Sequence, residues 1–345
     1  MTLDLPHNPP SGLLGPTAGA GIPTAASAAV EARSLTKRFG GTTAVDGIDL
    51  TVQEGEIFGV LGPNGAGKTT MLNMLATLLP IDGGEATVFG HDVAREGHAV
   101  RQLIGVTGQF ASVDENLTGA ENLWMFGRLQ GLPSKEARRT AEELLAAFDL
   151  TEAADRPLSQ FSGGMRRRLD LAASLITRPA LLFLDEPTTG LDPRNRNRMW
   201  DTIRRLVADG STILLTTQYL DEADALADRI AVIDHGHKVA EGTPDQLKAQ
   251  IGASSLRVEL ADAADTAPAS GLAADVTGDA PVVSATGTGF SVNLGDANQA
   301  ADVLVALRDH RIDITNATVE QPTLDEVFFA LTGHPTDTPT AQEDA

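Results

Sequence analysis

The chain contains no cysteine. Disulfides and thiolate metal sites are therefore excluded, which suits a reducing cytoplasm. Aromatic residues are scarce, with one Tyr and two Trp in 345 residues. Basic residues are outnumbered: 26 Lys and Arg stand against 47 Asp and Glu, a formal net charge of −21. That balance argues against a nucleic-acid partner, which calls for a basic stripe. It also argues against adhesion to anionic lipid by charge alone. No apolar run approaches the roughly 18 residues of a membrane span. No basic residue precedes Arg33, so no signal peptide is expected. Work at a membrane would then need a second chain to supply the spans. What is present is 42% hydrophobic residues, enough for a sizeable core, in a length that suits about two domains.

The most informative stretch is Gly62-Pro63-Asn64-Gly65-Ala66-Gly67-Lys68-Thr69-Thr70. It fits G-x-x-x-x-G-K-[ST], a loop whose backbone N–H groups cradle phosphate. Ile57 to Leu61 before it reads as a buried strand. Met71, Leu72, Met74, Leu75 and Leu78 after it recur at helical spacing, so a helix is expected from about Lys68. The glycines let the backbone turn toward one anion, and the helix N-terminus adds partial positive charge. Lys68 is placed to reach the β- and γ-phosphates and Thr69 to ligate Mg²⁺.

Downstream, Leu181-Leu182-Phe183-Leu184 is an apolar strand that ends in Asp185-Glu186. A carboxylate at the carboxyl end of a buried parallel strand sits beside such a loop. Asp185 would hold Mg²⁺, directly or through water, and Glu186 would orient the attacking water and accept its proton. Ser162-Gly163-Gly164 stands at the start of a helix marked by Leu169, Leu171, Ala172, Leu175 and Ile176. It is a second candidate anion site by the same dipole logic. Arg166, Arg167 and Arg168 read as a solvated or interface face. Phe39, before the Gly40-Gly41 turn, fits two roles: a core ring, or a ring stacked on adenine. Ser211 to Thr216 reads as another buried strand, leading to Gln218. Residues 220–228 read as an acidic helix. His235 and His237 flank a glycine between two strand-like runs, the pattern of a hairpin turn rather than a metal site.

Residues 1–29 are rich in Pro, Gly and Ala and read as a disordered tail. Residues 30–250 read as an α/β unit, with a helical insertion at about 110–178. Composition shifts after Gly252: the remainder carries 15 acidic and 3 basic residues. Strand-like Leu256 to Leu260, Val282-Val283 and Phe290 to Leu294, a helix over Ala300 to Leu307, a strand over Ile312 to Val319 and a helix at Leu324 to Leu331 make residues 251–333 a small α+β domain. Residues 334–345 read as a polar tail.

Taken in order, the phosphate loop, Gln109, Phe161 to Met165, Leu181 to Glu186, Gly190 to Asp192 and Thr216 to Glu222 resemble the nucleotide-binding subunit of an ATP-binding-cassette (ABC) transporter. Met165 to Leu171, Thr217 to Ala223 and Pro322-Thr323-Leu324-Asp325-Glu326-Val327-Phe328 are similar to the daunorubicin/doxorubicin-resistance drug exporters of actinobacteria. The resemblance implies a P-loop NTPase cassette: a RecA-like core with an antiparallel β subdomain and a helical subdomain. It implies ATP contacts from Phe39, Val45, Gly62, Pro63, Asn64, Gly65, Ala66, Gly67, Lys68, Thr69, Thr70, Gln109, Ser162, Gly163, Gly164 and Asp192. Metal contacts would come from Thr69, Gln109 and Asp185, and catalysis from Glu186, Gln218 and Lys68.

Two departures stand out. Most cassette ATPases carry a histidine where Gln218 stands. An amide donates a hydrogen bond but cannot carry a proton, so more of the proton abstraction falls on Glu186. The usual Leu-Ser-Gly-Gly-Gln signature is Phe-Ser-Gly-Gly-Met here, which keeps Ser162 and both glycines.

The family further implies a homodimer that sandwiches two ATP molecules. It would be bound at the cytoplasmic face of the cell membrane to a separate permease that exports a drug or metabolite. The rival class is a cassette ATPase without transport, such as a translation factor or a chromosome-associated ATPase. Those bring two cassettes or long coiled coils, and neither is found here. A third reading, an ATP sensor that does not hydrolyse, would follow if Gln218 were disabling.

Overall fold

The computed structural model describes residues 27–107, 113–250, 254–284, 287–320 and 322–333. The chain divides after Thr243 into two units. In the first, β1 (Ala28–Phe39) and β2 (Thr42–Gln53) pair antiparallel about the Gly40-Gly41 turn. β1 begins at Ala28, inside the stretch read as tail. β3 (Ile57–Leu61) leads into α1 (Lys68–Leu75). β4 (Gly83–Val88) then pairs with the free edge of β1, and β5 (His91–Asp92) comes next, giving a four-stranded antiparallel sheet in the order β2-β1-β4-β5.

α2 (Gly97–Leu103) precedes β6 (Ile104–Thr107). The helical insertion holds α3 (Gly119–Leu129), α4 (Ser134–Ala147) and α5 (Gly163–Ser174). α3 starts where it does because Thr118 and Glu121 form a reciprocal capping box. The remaining elements alternate: β7 (Leu181–Asp185), α6 (Pro193–Ala208), β8 (Thr212–Thr217), α7 (Leu220–Leu226), β9 (Arg229–Asp234) and β10 (His237–Gly242). They complete a six-stranded sheet in the order β10-β9-β3-β8-β7-β6, parallel except for β10.

Every residue of β3, β7 and β8 is buried, because both faces of this sheet are covered. Side-chain alternation sorts them. Phe58, Val60, Leu181, Phe183 and Leu214 join a core with α1 and the antiparallel sheet. Ile57, Leu182, Leu184, Ile213 and Leu215 join a second core with α4, α5 and α6. The β9–β10 turn has φ of 46° at His235 and 82° at Gly236. Two successive positive φ values match the right-handed strand twist of a tight hairpin. His235 thus lies in the turn and His237 opens β10, the expected hairpin. Among the described residues no cluster of three or more His, Asp or Glu could hold a metal ion.

The second unit starts earlier than expected, at Pro244 instead of residue 251. It takes in α8 (Pro244–Ala249), which packs with the last helix, α11. Between them come β11 (Ser255–Leu260), α9 (Thr266–Thr277), β12 (Val282–Val283), β13 (Gly289–Asn293), α10 (Ala297–Asp309) and β14 (Ile314–Glu320), ahead of α11 (Leu324–Thr332). The sheet runs β12-β13-β11-β14, all antiparallel. Leu256, Val258, Phe290, Val292, Val303 and Leu307 fill its core. The architecture is the expected α/β unit with an antiparallel sheet and helical insertion, plus a small α+β unit.

Candidate functional site

Three neighbouring strands deliver the site. β8 lies between β3 and β7 in the parallel sheet, and Leu61 pairs with Thr217 while Asp185 pairs with Thr216. Three segments therefore meet at one carboxyl edge: the phosphate loop after β3, Gln218 after β8, and Glu186 after β7. In an open parallel sheet that edge is where ligands bind.

The phosphate loop is a tight structure. Gly62 N–H donates to Thr217 O at 3.3 Å and Ala66 N–H to Pro63 O at 3.2 Å. Asn64 and Gly65 stand exposed at its tip, and Ala66 is buried. Gly67 has φ of 104°, and a Cβ there would lie 2.3 Å from Ala44 O and 3.5 Å from Val45 Cγ2. Only glycine fits. Buried Val45 on β2 therefore borders the loop, and Gly236 N–H secures it by donating to Ala66 O at 3.0 Å. α1 starts at Lys68, and Thr69 and Thr70 form the rest of its first turn.

Lys68 is almost fully buried, and its ammonium donates to Gly62 O at 2.7 Å and Pro63 O at 3.1 Å. Burial pushes its pKa down, while the nearby carboxylates of Glu186 and Asp185 pull it back up. Asp185 has the same strand parity as Phe183, so it points to the α1 face. There Thr69 Oγ1 donates to Asp185 Oδ1 at 3.1 Å, and Thr216 Oγ1 donates to the same oxygen. An alcohol and a carboxylate side by side are hard oxygen donors suited to Mg²⁺, which takes few protein ligands and completes its shell with phosphate and water.

Glu186 leaves the strand with φ of 47°. That left-handed turn breaks the alternation, and Glu186 Oε1 comes within 3.7 Å of Lys68 Nζ. Its N–H donates to Thr216 O at 3.0 Å, and Thr189 Oγ1 donates to Glu186 Oε2 at 3.2 Å. Gln218 is half-buried, one residue past β8.

Ser162 is the N-cap of α5, its Oγ accepting from Met165 N–H at 3.3 Å. Ser162 and Gly163 are exposed, while Gly164 is buried against Asn195. Asp192 is exposed and caps α6, accepting from Asn195 N–H at 2.9 Å, which pulls its pKa down. Phe39 is 49% exposed, with Lys37 Nζ 5.5 Å from its ring centroid. Of its two roles the core one is thereby excluded. Gln109 lies outside the described residues.

One reading needs correction. Arg167 does not belong to a solvated face: its side chain is 14% exposed. Its guanidinium donates to the carbonyls of Asp185, Glu186 and Pro187. Arg168 also turns inward, donating to Phe148 O, and Arg166 pairs with Glu115 at 2.6 Å. Glu222 is the second surprise. It sits in the acidic helix yet is fully buried, and accepts from Thr188 Oγ1 at 2.8 Å and Trp200 Nε1 at 3.2 Å. Burial raises its pKa, against the lowering effect of the Thr217, Thr188 and Trp200 hydrogen bonds. It joins the loop after Glu186 to the strand end before Gln218.

Comparison with known proteins places this site in a family. Residues 45–189 match the ABC transporter family, and residues 242–332 match the C-terminal domain of ATP-binding proteins like DrrA1-3. The chain is 54% identical over 317 residues to the daunorubicin/doxorubicin resistance ATP-binding protein DrrA of Streptomyces peucetius, covering 92% of this chain and 96% of that one. The chain belongs to the DrrA family of ABC transporter ATP-binding proteins. Another relative, the doxorubicin resistance ATP-binding protein DrrA of Mycobacterium tuberculosis, is 42% identical over 86% of this chain and 91% of its own. Among solved structures, cbiO1 of Clostridium perfringens, part of the ABC transporter complex cbiONQ, aligns with a TM-score of 0.60 at 25% identity over 65% of this chain and 91% of that one. An ATP-binding cassette solved as a dimer in a post-hydrolysis state with ADP and Pi aligns at 0.57 and 26% identity, over 62% of this chain and 98% of that one. As a DrrA-family member the chain binds ATP and is an ABC transporter ATPase, so the non-transport rival is set aside.

Proposed function

We propose that two copies of this chain close on two ATP molecules and drive export of a daunorubicin-like drug through a separate membrane-spanning permease. The observation that carries the reading is the meeting of Lys68, Thr69, Asp185 and Glu186 at one sheet edge. The drug class is supported by the names of the relatives. The dimer is supported by the exposed Ser162 and Gly163 at a helix N-terminus, half of an anion site that a facing phosphate would complete, and by the dimeric cassette of like fold.

In each site Lys68 holds the β- and γ-phosphates, and the loop N–H groups orient them. Thr69 and Asp185 would hold Mg²⁺, which when bound neutralises phosphate charge. Water attacks the γ-phosphorus in line with the β–γ bridging oxygen, that P–O bond breaks, and ADP leaves. Glu186 accepts the proton the water loses. Gln218 donates an amide hydrogen to the γ-phosphate, and the Phe39 ring stacks on adenine. In the partner copy, Ser162, Gly163 and Gly164 contact the same γ-phosphate, with Asp192 nearby.

No helix among the described residues is long and apolar enough to cross a membrane. In this reading a separate permease supplies the spans and holds this chain at the cytoplasmic face. A cleft of about 590 Å³, lined by Leu78, Arg101, Val106, Phe126, Ala173 and Ile176 among others, offers it a docking groove. The test is affinity purification of the chain from membranes with ATPase rates measured on the product. Recovery of an integral membrane protein that changes the ATPase rate supports the reading; recovery of ribosomes or chromosomal complexes instead overturns it.

A further inference from the structure

We propose that Arg167 is the positioning residue for Glu186, holding from the signature helix the backbone turn that aims the base. The inference rests on reading Glu186 as the base. It starts from strain. Glu186 has φ of 47°, and a non-glycine residue persists in that strained region only where its surroundings enforce it. The sheet supplies one restraint, Glu186 N–H to Thr216 O, and the next turn supplies another, Thr189 N–H to Glu186 O at 3.3 Å. The third comes from a different element. Arg167 Nη2 donates to Asp185 O at 2.8 Å and to Glu186 O at 3.0 Å, and Arg167 Nε donates to Pro187 O at 2.9 Å.

Three successive carbonyls, with the strained residue in the middle, are thus gathered by one guanidinium. That work needs a planar fork of N–H donors, which arginine has and lysine lacks. Asp170, one turn further along α5 and buried, lies 3.7 Å from Arg167 Nη1 and steadies the head from the other side. A buried guanidinium without such partners is strongly disfavoured, so the side chain is committed to this place. Arg167 sits on α5 five residues after Ser162, the N-cap of the same helix. It therefore ties the helix that presents the signature to the carboxylate that receives the proton, within one chain. It touches carbonyl oxygens, not reacting atoms.

The test compares Arg167→Met, Arg167→Lys, E186Q and the double variant E186Q/R167M in the full-length chain with its permease. KM for ATP, kcat and ATP-driven dimerisation are measured, with single-turnover rates for the slow variants. Arg167→Met should lower kcat about a hundredfold, the scale of loss when a reacting group is misplaced by about 1 Å. KM and dimerisation should hold, and Arg167→Lys should recover only a small part of the rate. The double variant should hydrolyse no more slowly than E186Q alone, since a residue acting through Glu186 has nothing left to position.

A wild-type kcat in Arg167→Met, or a loss that adds in full to that of E186Q, overturns the inference. So does a parallel loss of kcat, ATP affinity and thermal stability, the mark of a merely structural residue. Should Arg167→Met not fold, Arg167→Lys carries the same comparison. E186Q at wild-type speed would instead overturn the reading of Glu186 as base, and this inference with it.

Discussion

Lys68 Nζ stands 3.7 Å from Glu186 Oε1, with 4% and 7% of the two side chains exposed. The cation read as the phosphate ligand and the carboxylate read as the base face each other in a nearly sealed space. Ion pairs in such a space are weakly screened, so the Glu186 carboxylate favours the charged form of Lys68.

Exchanging the carboxylate for an amide separates their roles. E186Q should bind ATP and lose about 10²–10⁴-fold in kcat, the range for removing a general base. Lys68 has a pKa below the ordinary 10.5, because burial disfavours the ammonium while Glu186 and Asp185 favour it. Removing the Glu186 charge takes away part of that support, so the pKa falls further. ATP affinity, which needs the ammonium, should then fail at a lower alkaline pH in E186Q than in the wild type. Titrating ATP affinity against pH in both proteins checks this, and coincident alkaline limbs would refute it.

Gln218 makes a prediction about shape as well as height. An amide does not titrate, so the pH–rate profile should show no histidine-like inflection from this position, whereas Gln218→His should introduce one at about pH 6.5. Gln218→Ala should cost roughly a hundredfold in kcat, as loss of a donor to developing charge does. An unchanged rate in Gln218→Ala would show that the amide is idle.

Gly163 is exposed, and a Cβ added there would meet nothing within 4 Å. Gly163→Ala should leave thermal stability untouched in the isolated chain. A facing phosphate would meet the new methyl, so ATP-driven dimerisation should weaken about tenfold, or ~1.4 kcal/mol. Dimerisation at wild-type strength would remove the helix N-terminus from the interface.

Glu222 carries a prediction about folding. Its carboxyl has a pKa above the ordinary 4.5 because burial disfavours the anion. Asp221 pushes the same way, and the charge of Arg167 lies close by. A raised pKa in the folded chain means that the folded state binds the proton more tightly than the unfolded one. The stabilising share is fully present below about pH 4.5 and is lost as pH rises through the folded-state value. Glu222→Gln keeps an oxygen to accept from Thr188 and Trp200 and has no such pH dependence. Melting temperatures of the two proteins should therefore move apart in favour of Glu222→Gln as pH rises from about 4.5. A constant difference across pH 4 to 8, roughly the range a carboxyl shift can span, would contradict it.

The placement of the candidate site at one sheet edge was legible in the sequence because its parts are short-range patterns. Gly62 to Thr70 and the apolar run into Asp185-Glu186 each announce a local structure, and sheet order did the rest. Residues that act through distant partners were not legible. Arg167 sits among three consecutive arginines, and only tertiary packing turns it onto the carbonyls of Asp185 to Pro187. Glu222 stood unmarked in a run of acids, and α7 buries its side chain. In the second unit α9 escaped notice because its buried positions include Ala269 and Ala273, too small to mark a helical stripe. β4 and β5 offered no long apolar run and take their place from pairing with β1.

The most direct test is sedimentation of E186Q, in which hydrolysis is blocked, with and without Mg-ATP, alone and with the permease supplied. The account predicts dimers that form with Mg-ATP and fall apart when it is withdrawn. A chain that stays monomeric with Mg-ATP in every one of these mixtures would contradict it.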